Sequence, residues 1–253
     1  MANEVLYEAK EQVAVITLNR PERMNAISMA VRDQLGVAFE RFEADGALRV
    51  AILTGAGDRS FCAGMDLKEA AEIGLGVSVK PLPVLGDNIK VSKPVIAAVN
   101  GHALAGGWLL AQMCDLCVAS DNAQFGITEG KVGRGMPWVP PLMRMIPQRI
   151  ALELLLTGRS ISAQRAYEIG FVNRVVPQAQ LMEQSMALAR EIIACAPLTV
   201  AAAKELVYLT AEMGTAAALR TGNHVFDRTY RSEDALEGPR AFKEKRKPNW
   251  QGK

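Results

Sequence analysis

Hydrophobic positions in the first half of the chain fall into short β-branched runs, each followed by a turn signal. The four clearest runs lie at 13–21, 50–60, 94–101 and 116–126. Runs of this length bounded by Gly, Asn, Asp or Pro predict strands. Between the first two, the stretch 28–46 has apolar residues at helical spacing, and Ser28 is placed to cap that helix. Strands that alternate with helices predict the α/β class.

The pattern changes in the last third of the chain. From about residue 178 the strand signals stop, and the segments 181–198, 199–214 and 233–247 repeat their apolar residues with a helical period. We therefore predict a mixed core over residues 1–195 and an all-helical region over residues 196–253.

Composition and charge limit the classes of function. With 253 residues, of which 49% are hydrophobic, the chain can bury one sizeable core. The net charge is +2, and a basic cluster near the C-terminus is interrupted by Glu237 and Glu244, so we expect a solvated helix face there and no nucleic-acid partner. No apolar run approaches the ~20 residues of a membrane span, and the first residues lack a targeting core. These features predict a cytoplasmic protein with no membrane partner.

The four cysteines do not form a disulfide or metal framework. Cys114 and Cys117 make a C-x-x-C pair, but no second cysteine pair or nearby histidine accompanies it. We expect both thiols to be buried as small apolar groups, and we expect no metal site.

Two glycine-rich turns present approachable backbone. The first is "SFCAGMDLKEA" (60–70) and the second is "ALAGGW" (103–108), and each follows a predicted strand. The second turn opens a helix, whose first amides have no partner within the helix. Two converging N–H groups suit a developing oxyanion, although close packing of helix on strand would also explain Gly106 and Gly107. Neither turn has the G-x-G-x-x-G spacing of a dinucleotide site.

The order of several motifs carries a family resemblance. The motifs are "NRPERMNAI", "FCAGMDLKE", "AAVNGHALAGGWLLAQMCDLCVAS", "AQFGITEGKVG", "LLLTGRSISAQRAYEIGFVNRVVP" and "EGPRAFKEKRKPNW". Together they resemble the crotonase superfamily, the enoyl-CoA hydratase/isomerase family, from about residue 6 to residue 250. The resemblance implies a spiral of ββα units followed by helices that mediate trimer contact, often with trimers stacked into hexamers. It also implies an acyl-CoA substrate, with coenzyme A as part of that substrate and no permanently bound cofactor.

The resemblance assigns roles to individual positions. Met65 and Gly106 would supply the two backbone N–H groups that hold the thioester enolate. A further set matches positions that contact coenzyme A in relatives: Arg23, Ala63, Asp66, Leu67, Lys68, Phe226 and Lys245.

One catalytic acid of the family is present and the other is missing. Family hydratases use two glutamates, which both hold the water that is added. Glu129 in "FGITEG" occupies one position, and Leu109 in "AGGWLLA" occupies the other. Leucine cannot bind water or exchange a proton. Pro137 lies at or beside a turn whose amide helps to bind that water in relatives, and proline has no N–H.

A single carboxyl group with an oxyanion hole suffices to move a proton within an enolate. Family Δ3,Δ2-enoyl-CoA isomerases resemble this arrangement, so we expect Glu129 to take an α-proton from a 3-enoyl-CoA and return it at C4. An apolar setting would raise the pKa of Glu129 toward neutrality. The alternatives are a hydratase or lyase acting on an atypical substrate, and a CoA-binding pseudoenzyme.

Some residues have no assigned part in this chemistry. We expect His102 and Asp115 to be structural, and Arg134 has no role that the sequence identifies. The stretch 72–92 is expected to shape the acyl pocket as a mobile loop because it contains several Gly and Pro residues.

Overall fold

A computed structural model describes residues 3–74 and 82–253, which form ten strands and nine α-helices. The strands are β1 (Val5–Lys10), β2 (Val13–Leu18), β3 (Val50–Gly55), β4 (Ser60–Cys62), β5 (Val95–Val99), β6 (His102–Leu104), β7 (Leu116–Ser120), β8 (Gln124–Gly126), β9 (Ser160–Ser162) and β10 (Arg174–Val176). The helices are α1 (Met29–Ala44), α2 (Leu67–Glu72), α3 (Gly106–Gln112), α4 (Gln148–Thr157), α5 (Ala163–Glu168), α6 (Leu181–Ile193), α7 (Pro197–Thr210), α8 (Thr215–Tyr230) and α9 (Glu233–Lys243).

The strands form two sheets. The larger sheet has the order β1-β2-β3-β5-β7-β10 and is parallel except for the β1–β2 pair. The smaller sheet has the order β4-β6-β8-β9 and is parallel except for the β8–β9 pair. The units β3-β4-α2 and β5-β6-α3 each place one strand in each sheet before a helix. This repeated step builds the expected ββα spiral.

Both faces of the larger sheet are covered, so its central strands are buried along their whole length. On β3, Ala51 and Leu53 face the main core, while Val50 and Ile52 face a second cluster that includes Leu188 of α6. This alternation is the period of two that a strand imposes on its side chains. It explains why β3 reads as a continuous apolar run.

The structure confirms the α/β class and most of the elements expected in the first half. Ser28 caps α1 as expected, and its hydroxyl oxygen accepts a hydrogen bond from the amide of Val31 at 3.0 Å. The run at 116–126 is two strands, β7 and β8, because the chain turns at residues 121–123. That turn moves the chain from the larger sheet to the smaller one.

The C-terminal region is helical, as the apolar period indicates. α6 packs on β3, β5 and β7, whereas α7, α8 and α9 form a layer in which α8 contacts α7 and α9. The break between α6 and α7 coincides with the predicted boundary at residue 195. That division of the chain stays a prediction.

The segment expected to shape the acyl pocket is only partly visible, since residues 75–81 lie outside the described residues. After it, Leu82, Val84 and Ile89 pack against the main core. In the described part of the chain, no single helix is long and apolar enough to cross a membrane, although Gln178–Ile193 and Pro197–Thr210, bent by 104°, meet those requirements as a pair.

Candidate active site

Three neighbouring parallel strands of the smaller sheet end at the same edge. β4 pairs with β6 and β6 pairs with β8, with Cys62 beside Ala103 and Leu104 beside Gly126. Two or three residues beyond the ends of these strands stand Met65, Gly106 and Glu129. The fold therefore brings the three proposed catalytic positions, which are far apart in the sequence, to one edge of one sheet.

The first turn is held by the segment that leads into α1. The amide of Ile27 donates to the carbonyl oxygen of Gly64 at 2.8 Å, and the amide of Asp66 donates to the carbonyl oxygen of Ile27 at 3.0 Å. In this parallel bridge Met65 lies between the two bonded groups. Its own N–H consequently points away from Ile27, and no described residue accepts a hydrogen bond from it.

The second turn is strained and opens α3. Ala105, the residue before the helix, has φ 51° and ψ −119°, a conformation that non-glycine residues rarely adopt. Its amide is held by the carbonyl oxygen of Gly126 at 2.8 Å. Gly106 is the first helical residue, so its N–H has no partner within α3, and none of the other described residues accepts from it.

The two turns touch each other, and the glycines have different reasons to be there. A Cβ on Gly64 would lie 2.9 Å from the Cβ of Ala105, and one on Gly106 would lie 3.6 Å from the Cα of Gly64. A Cβ on Gly107 would lie only 2.0 Å from the carbonyl oxygen of Cys62. Gly107 thus serves helix–strand packing, whereas Gly106 keeps the space between the turns free of side chains.

Glu129 supplies a buried carboxyl group at this edge. It begins a 3-10 helix (Glu129–Val132), it is 7% exposed, and no described atom bonds its Oε2. Burial raises the pKa of Glu129, and hydrogen bonds from its own amide, the Trp138 side chain and the Thr128 amide oppose that rise. Burial disfavours the charged form of the carboxyl group, and it has the larger effect, so the pKa of Glu129 is raised overall.

The position of the second acid is apolar. Leu109 lies on α3, three residues after Gly106, and is 6% exposed. Its neighbour Trp108 is fully buried and packs against Phe171 and Phe125, with ring centroids 4.6 Å and 6.0 Å away. Glu129 is thus the acid that the geometry offers at this edge of the described chain.

Comparison with known proteins identifies the family. The family model for enoyl-CoA hydratase/isomerase matches residues 8–253. The chain belongs to this enoyl-CoA hydratase/isomerase family.

Relatives of known name align with all or nearly all of the chain. Carnitinyl-CoA dehydratase from Proteus mirabilis (strain HI4320) is 41% identical over 266 aligned positions covering 100% of both chains. The same enzyme from Escherichia coli (strain K12) is 42% identical over 252 positions covering 94% of both. Among solved structures, an enoyl-CoA hydratase from Mycobacterium marinum has a TM-score of 0.93 at 40% identity, covering 100% of both chains.

Membership of the enoyl-CoA hydratase/isomerase family confirms the resemblance and the fold expected from it. Four of the positions expected to contact coenzyme A lie around the first turn. Arg23 is exposed at the end of a 3-10 helix (Pro21–Arg23), Ala63 is half-buried, and Leu67 and Lys68 are exposed at the start of α2.

Asp66, another proposed coenzyme A contact, already has structural partners. Its side chain accepts from the amides of Lys68 and Glu69, which caps α2, and it pairs with Arg20 at 3.0 Å. Those hydrogen bonds lower the pKa of Asp66 despite the opposing effect of burial.

Phe226 and Lys245 lie apart from the first turn within this single chain. Phe226 is half-buried on α8, whose packing partners are α7 and α9, and Lys245 is exposed just after α9. The structure therefore does not join them to Met65 and Gly106.

Several residues that shape the site were missed at the level of sequence. Arg20 pairs with Asp66 and Glu4 and donates to the carbonyl oxygen of Ala26 at 2.7 Å, so it ties the first turn to the loop before α1. The Asn-Arg-Pro sequence predicted a turn at Arg20. A local sequence pattern does not show that the Arg20 side chain bonds Asp66, which lies 46 residues further along the chain. Gln112 is buried on α3 and donates to the carbonyl oxygen of Trp138 at 3.1 Å, and the motif that contains it assigns it no role.

Of the three residues without an assigned part in the chemistry, Asp115 has the structural partners expected of it. Asp115 accepts from Lys204 at 2.8 Å, from Tyr208 at 2.9 Å and from the amide of Val95 at 2.7 Å, which ties α7 to the larger sheet. His102 lies within β6. Arg134 is exposed, and its amide donates to the carbonyl oxygen of Glu129 at 3.0 Å.

The C-x-x-C pair is buried. Cys114 and Cys117 are free thiols, and burial raises the pKa of Cys117 to about 12. A thiol with that pKa stays protonated near neutrality and is a poor nucleophile or metal ligand.

A separate cavity of about 650 Å³ lies between the start of α7 and the C-terminal tail, and its lining includes Arg49, Lys93 and Trp250. None of the proposed site residues lines it.

Proposed function

We propose that this enzyme moves a proton on an acyl-CoA enolate with one carboxyl group, most directly by isomerising a 3-enoyl-CoA to a 2-enoyl-CoA. The supporting observation is the combination at one sheet edge of two amides that have no partner among the described residues, Met65 and Gly106, with the buried acid Glu129. Leu109, which is apolar, occupies the position of the second acid that a family hydratase would use.

The proposed steps balance without another reactant. The Glu129 carboxylate removes a proton from C2, and the electron pair of that bond moves onto the thioester oxygen. The N–H groups of Met65 and Gly106 stabilise the resulting dienolate. The carboxylic acid of Glu129 then returns the proton at C4, the C2–C3 double bond forms, and the thioester carbonyl is restored. A raised pKa suits Glu129 to both transfers, since the group must accept and then donate a proton near neutrality.

Coenzyme A binding is proposed along the first turn. The exposed side chains of Leu67 and Lys68 at the start of α2, together with Ala63 and Arg23, would contact the cofactor portion of the substrate. Lysine would act there as a point charge for phosphate. Asp66 would contribute by holding the turn. Phe226 and Lys245 remain proposed contacts.

Dehydration or hydration is a second candidate, favoured by the printed names of the relatives at 41% and 42% identity. In a dehydratase, Glu129 would remove the C2 proton of a 3-hydroxyacyl-CoA to form its enolate on the same two amides, and the 3-hydroxyl group would then take up a proton and leave as water. With Leu109 in place, that departure would depend on Glu129 alone or on a group of the substrate itself.

A turnover screen separates these candidates. The purified enzyme and its Glu129→Gln variant are assayed with 3-enoyl-, 2-enoyl- and 3-hydroxyacyl-CoA thioesters of matched chain length. We expect the 3-enoyl substrate to react fastest and the variant to lose about 10²–10⁴-fold in rate, the usual contribution of a positioned acid–base group.

Fast hydration of 2-enoyl-CoA by the wild type would support the dehydratase instead. Full activity of Glu129→Gln on every substrate would refute the single-carboxyl mechanism. Tight binding of coenzyme A with no turnover would make the protein a binding pseudoenzyme.

A further inference from the structure

Arg20 joins the two chain segments that orient the Met65 amide. Its guanidinium donates to the carbonyl oxygen of Ala26 through Nη1 at 2.7 Å and to the carboxylate of Asp66 through Nη2 at 3.0 Å. Ala26 comes directly before Ile27, and Asp66 comes directly after Met65. One planar group therefore ties together the two segments that form the bridge between Ile27 and Met65.

The Asp66 carboxylate divides its two oxygens between separate contacts. Oδ1 accepts from the amides of Lys68 at 3.2 Å and Glu69 at 3.3 Å, which caps α2. Oδ2 accepts from Arg20. The side chains of Arg20 and Asp66 are largely buried, at 13% and 11% exposed, so removing either charge would leave the other unpaired and poorly solvated. The contact with Arg20 is additional to the helix cap, and it fixes Asp66 relative to the segment before α1.

A second acid holds the Arg20 side chain from the start of the chain. Nε of Arg20 lies 3.3 Å from Oε1 of Glu4. Oε2 of Glu4 accepts a hydrogen bond from the hydroxyl group of Ser28, the residue that caps α1. Each of the three guanidinium nitrogens therefore has an oxygen within 3.3 Å. With all three nitrogens engaged, the guanidinium is held in one orientation.

The backbone of Arg20 is fixed as well. Its amide donates to Oδ1 of Asn25 at 2.9 Å, and its carbonyl oxygen accepts from the amide of Asn25 at 2.9 Å. Asn25 is buried, and its Nδ2 donates to the carbonyl oxygens of Ala56 at 2.9 Å and Ser60 at 2.7 Å. Ser60 begins β4. Arg20 is thus anchored through Asn25 to the strand that ends shortly before Met65.

The first turn depends on such support because the Met65 amide lies outside any helix. The amide of Gly106 is fixed by α3, which begins at that residue. Met65 stands between β4 and α2, next to Gly64, whose φ is +90°. Glycine has the widest choice of backbone conformations, so the direction of the next N–H depends on bonds from outside the turn. Precise support matters, since a misplacement of about 1 Å can lower a rate ~10²-fold.

We propose that Arg20 is a positioning residue that directs the Met65 N–H toward the thioester oxygen. Arg20 acts through Ala26 and Asp66, the neighbours of the bridged residues, and has no bond to the Met65 amide itself. The proposal rests on the proposed function, in which the amides of Met65 and Gly106 hold the enolate. Arg20→Lys would keep the positive charge but lose the planar fork of donors that reaches both oxygens at once.

Enolisation of bound acetoacetyl-CoA tests the proposal, because this β-keto thioester loses a C2 proton to give an enolate that absorbs in the near ultraviolet. With protein in excess and at one fixed pH, the absorbance gives the ratio of enolate to keto form in the bound ligand. We expect the wild type to raise this ratio above that of the free ligand in the same buffer. Arg20→Lys should lower it about tenfold, a part of the ~10²–10³-fold that loss of an oxyanion donor costs. Because only bound ligand is compared, a smaller amount of folded protein does not change the ratio.

Two further variants separate the contact with Arg20 from general effects on the fold. Asp66→Asn keeps an oxygen for the α2 cap, since asparagine is an equally good capping residue, but it removes the charge that Arg20 contacts. We expect it to lower the enolate ratio as Arg20→Lys does, and we expect the double variant to lose no more than the larger single change. Arg174→Lys is the matched control. Arg174 pairs with Glu191 at 3.0 Å and lies on β10, in the larger sheet, so its replacement should leave the ratio unchanged.

The outcomes distinguish the positioning role from the proposed function. A wild-type enolate ratio no higher than that of the free ligand would refute the oxyanion site, and with it the proposed function. A raised wild-type ratio that persists in both Arg20→Lys and Asp66→Asn would show that the positioning role alone is wrong. Should Arg20→Lys fail to fold, as judged by circular dichroism, the ratio in Asp66→Asn decides the question by itself.

Discussion

At the scale of single residues, Glu129 shows how the proposed chemistry opposes stability. The same burial that raises the pKa of Glu129 makes its ionisation in the folded protein less favourable than in water. A group whose pKa is higher in the folded state than in the unfolded state stabilises the fold at low pH. That contribution is lost as the pH rises from the unfolded value, ~4.3 for a glutamate, through the folded value.

We therefore expect Glu129→Gln to be more stable than the wild type near neutral pH, because glutamine resembles the protonated acid and cannot ionise. The advantage should shrink as the pH falls toward the unfolded value of ~4.3. Thermal melts of both proteins between about pH 4 and pH 8 measure the difference. A constant difference in Tm across this range would show that the carboxyl group does not titrate with a raised pKa.

Leu109 is the residue whose identity decides between the proposed isomerase and a hydratase. Leu109→Glu would place a second carboxyl group on α3, on the side of the helix shared by Gln112. We expect hydration of a 2-enoyl-CoA to rise at least tenfold over that of Leu109→Gln, a matched control that adds a polar group without charge. Equal rates for the two variants would contradict the proposed geometry.

How far sequence could predict the site also depends on the residue. Met65, Gly106 and Glu129 each lie in a short linear motif beside a strand end, so their positions could be carried over one by one. Arg20, Gln112 and Trp138 act through partners on separate elements, and no local pattern records which side chains meet in space. The structural role of Asp66 could not be predicted for the same reason, since its partner Arg20 lies 46 residues earlier in the chain.

At the scale of elements, the junction of β4, β6 and α3 explains the two consecutive glycines. We expect Gly107→Ala to destabilise the protein by about 3 kcal/mol or more, at the upper end for overpacked sites, because its Cβ would overlap a backbone oxygen that cannot move away. Gly106→Ala should change stability by less than about 1 kcal/mol, since the nearest atom to its Cβ is the flexible end of Ile27.

Activity, unlike stability, should be sensitive to Gly106→Ala. Gly106→Ala places a methyl group between the two amides, so we expect it to fold and to lose turnover. Denaturant melts measure the stability, and turnover of a 3-enoyl-CoA measures the activity. A fully active Gly106→Ala would show that the space between the turns does not hold the thioester oxygen.

Element prediction succeeded where local signals were strong. The capping residue Ser28 correctly predicted the start of α1, and the apolar runs at 50–60 and 94–101 correctly predicted strands β3 and β5. β9 and β10 have three residues each and depend on pairing with distant strands, which a short window of sequence does not contain.

At the scale of the whole molecule, the C-terminal layer leaves large apolar side chains in solvent. Leu219, Tyr230, Leu236 and Phe242 are 69%, 77%, 68% and 87% exposed. Large exposed apolar side chains on neighbouring helices are typical of a contact surface. They are consistent with the expectation that this region mediates contact between copies of the chain.

We expect Phe242→Asp to shift the protein toward monomers, because a charge would have to be buried in the contact. Phe242→Tyr keeps the aromatic ring and should assemble as the wild type does. Light scattering coupled to size-exclusion chromatography gives the mass of each. A wild-type mass for the aspartate variant would place the assembly contact elsewhere.

The central claim, that one carboxyl group carries one proton from C2 to C4, can be tested by following that proton. A 3-enoyl-CoA carrying deuterium at C2 is converted in ordinary water, and the position of the label in the product is read by NMR. Transfer by Glu129 in a water-poor site predicts deuterium at C4 in a substantial fraction of the product, and no product from Glu129→Gln. A product with only solvent hydrogen at C4, formed equally well by Glu129→Gln, would contradict the account.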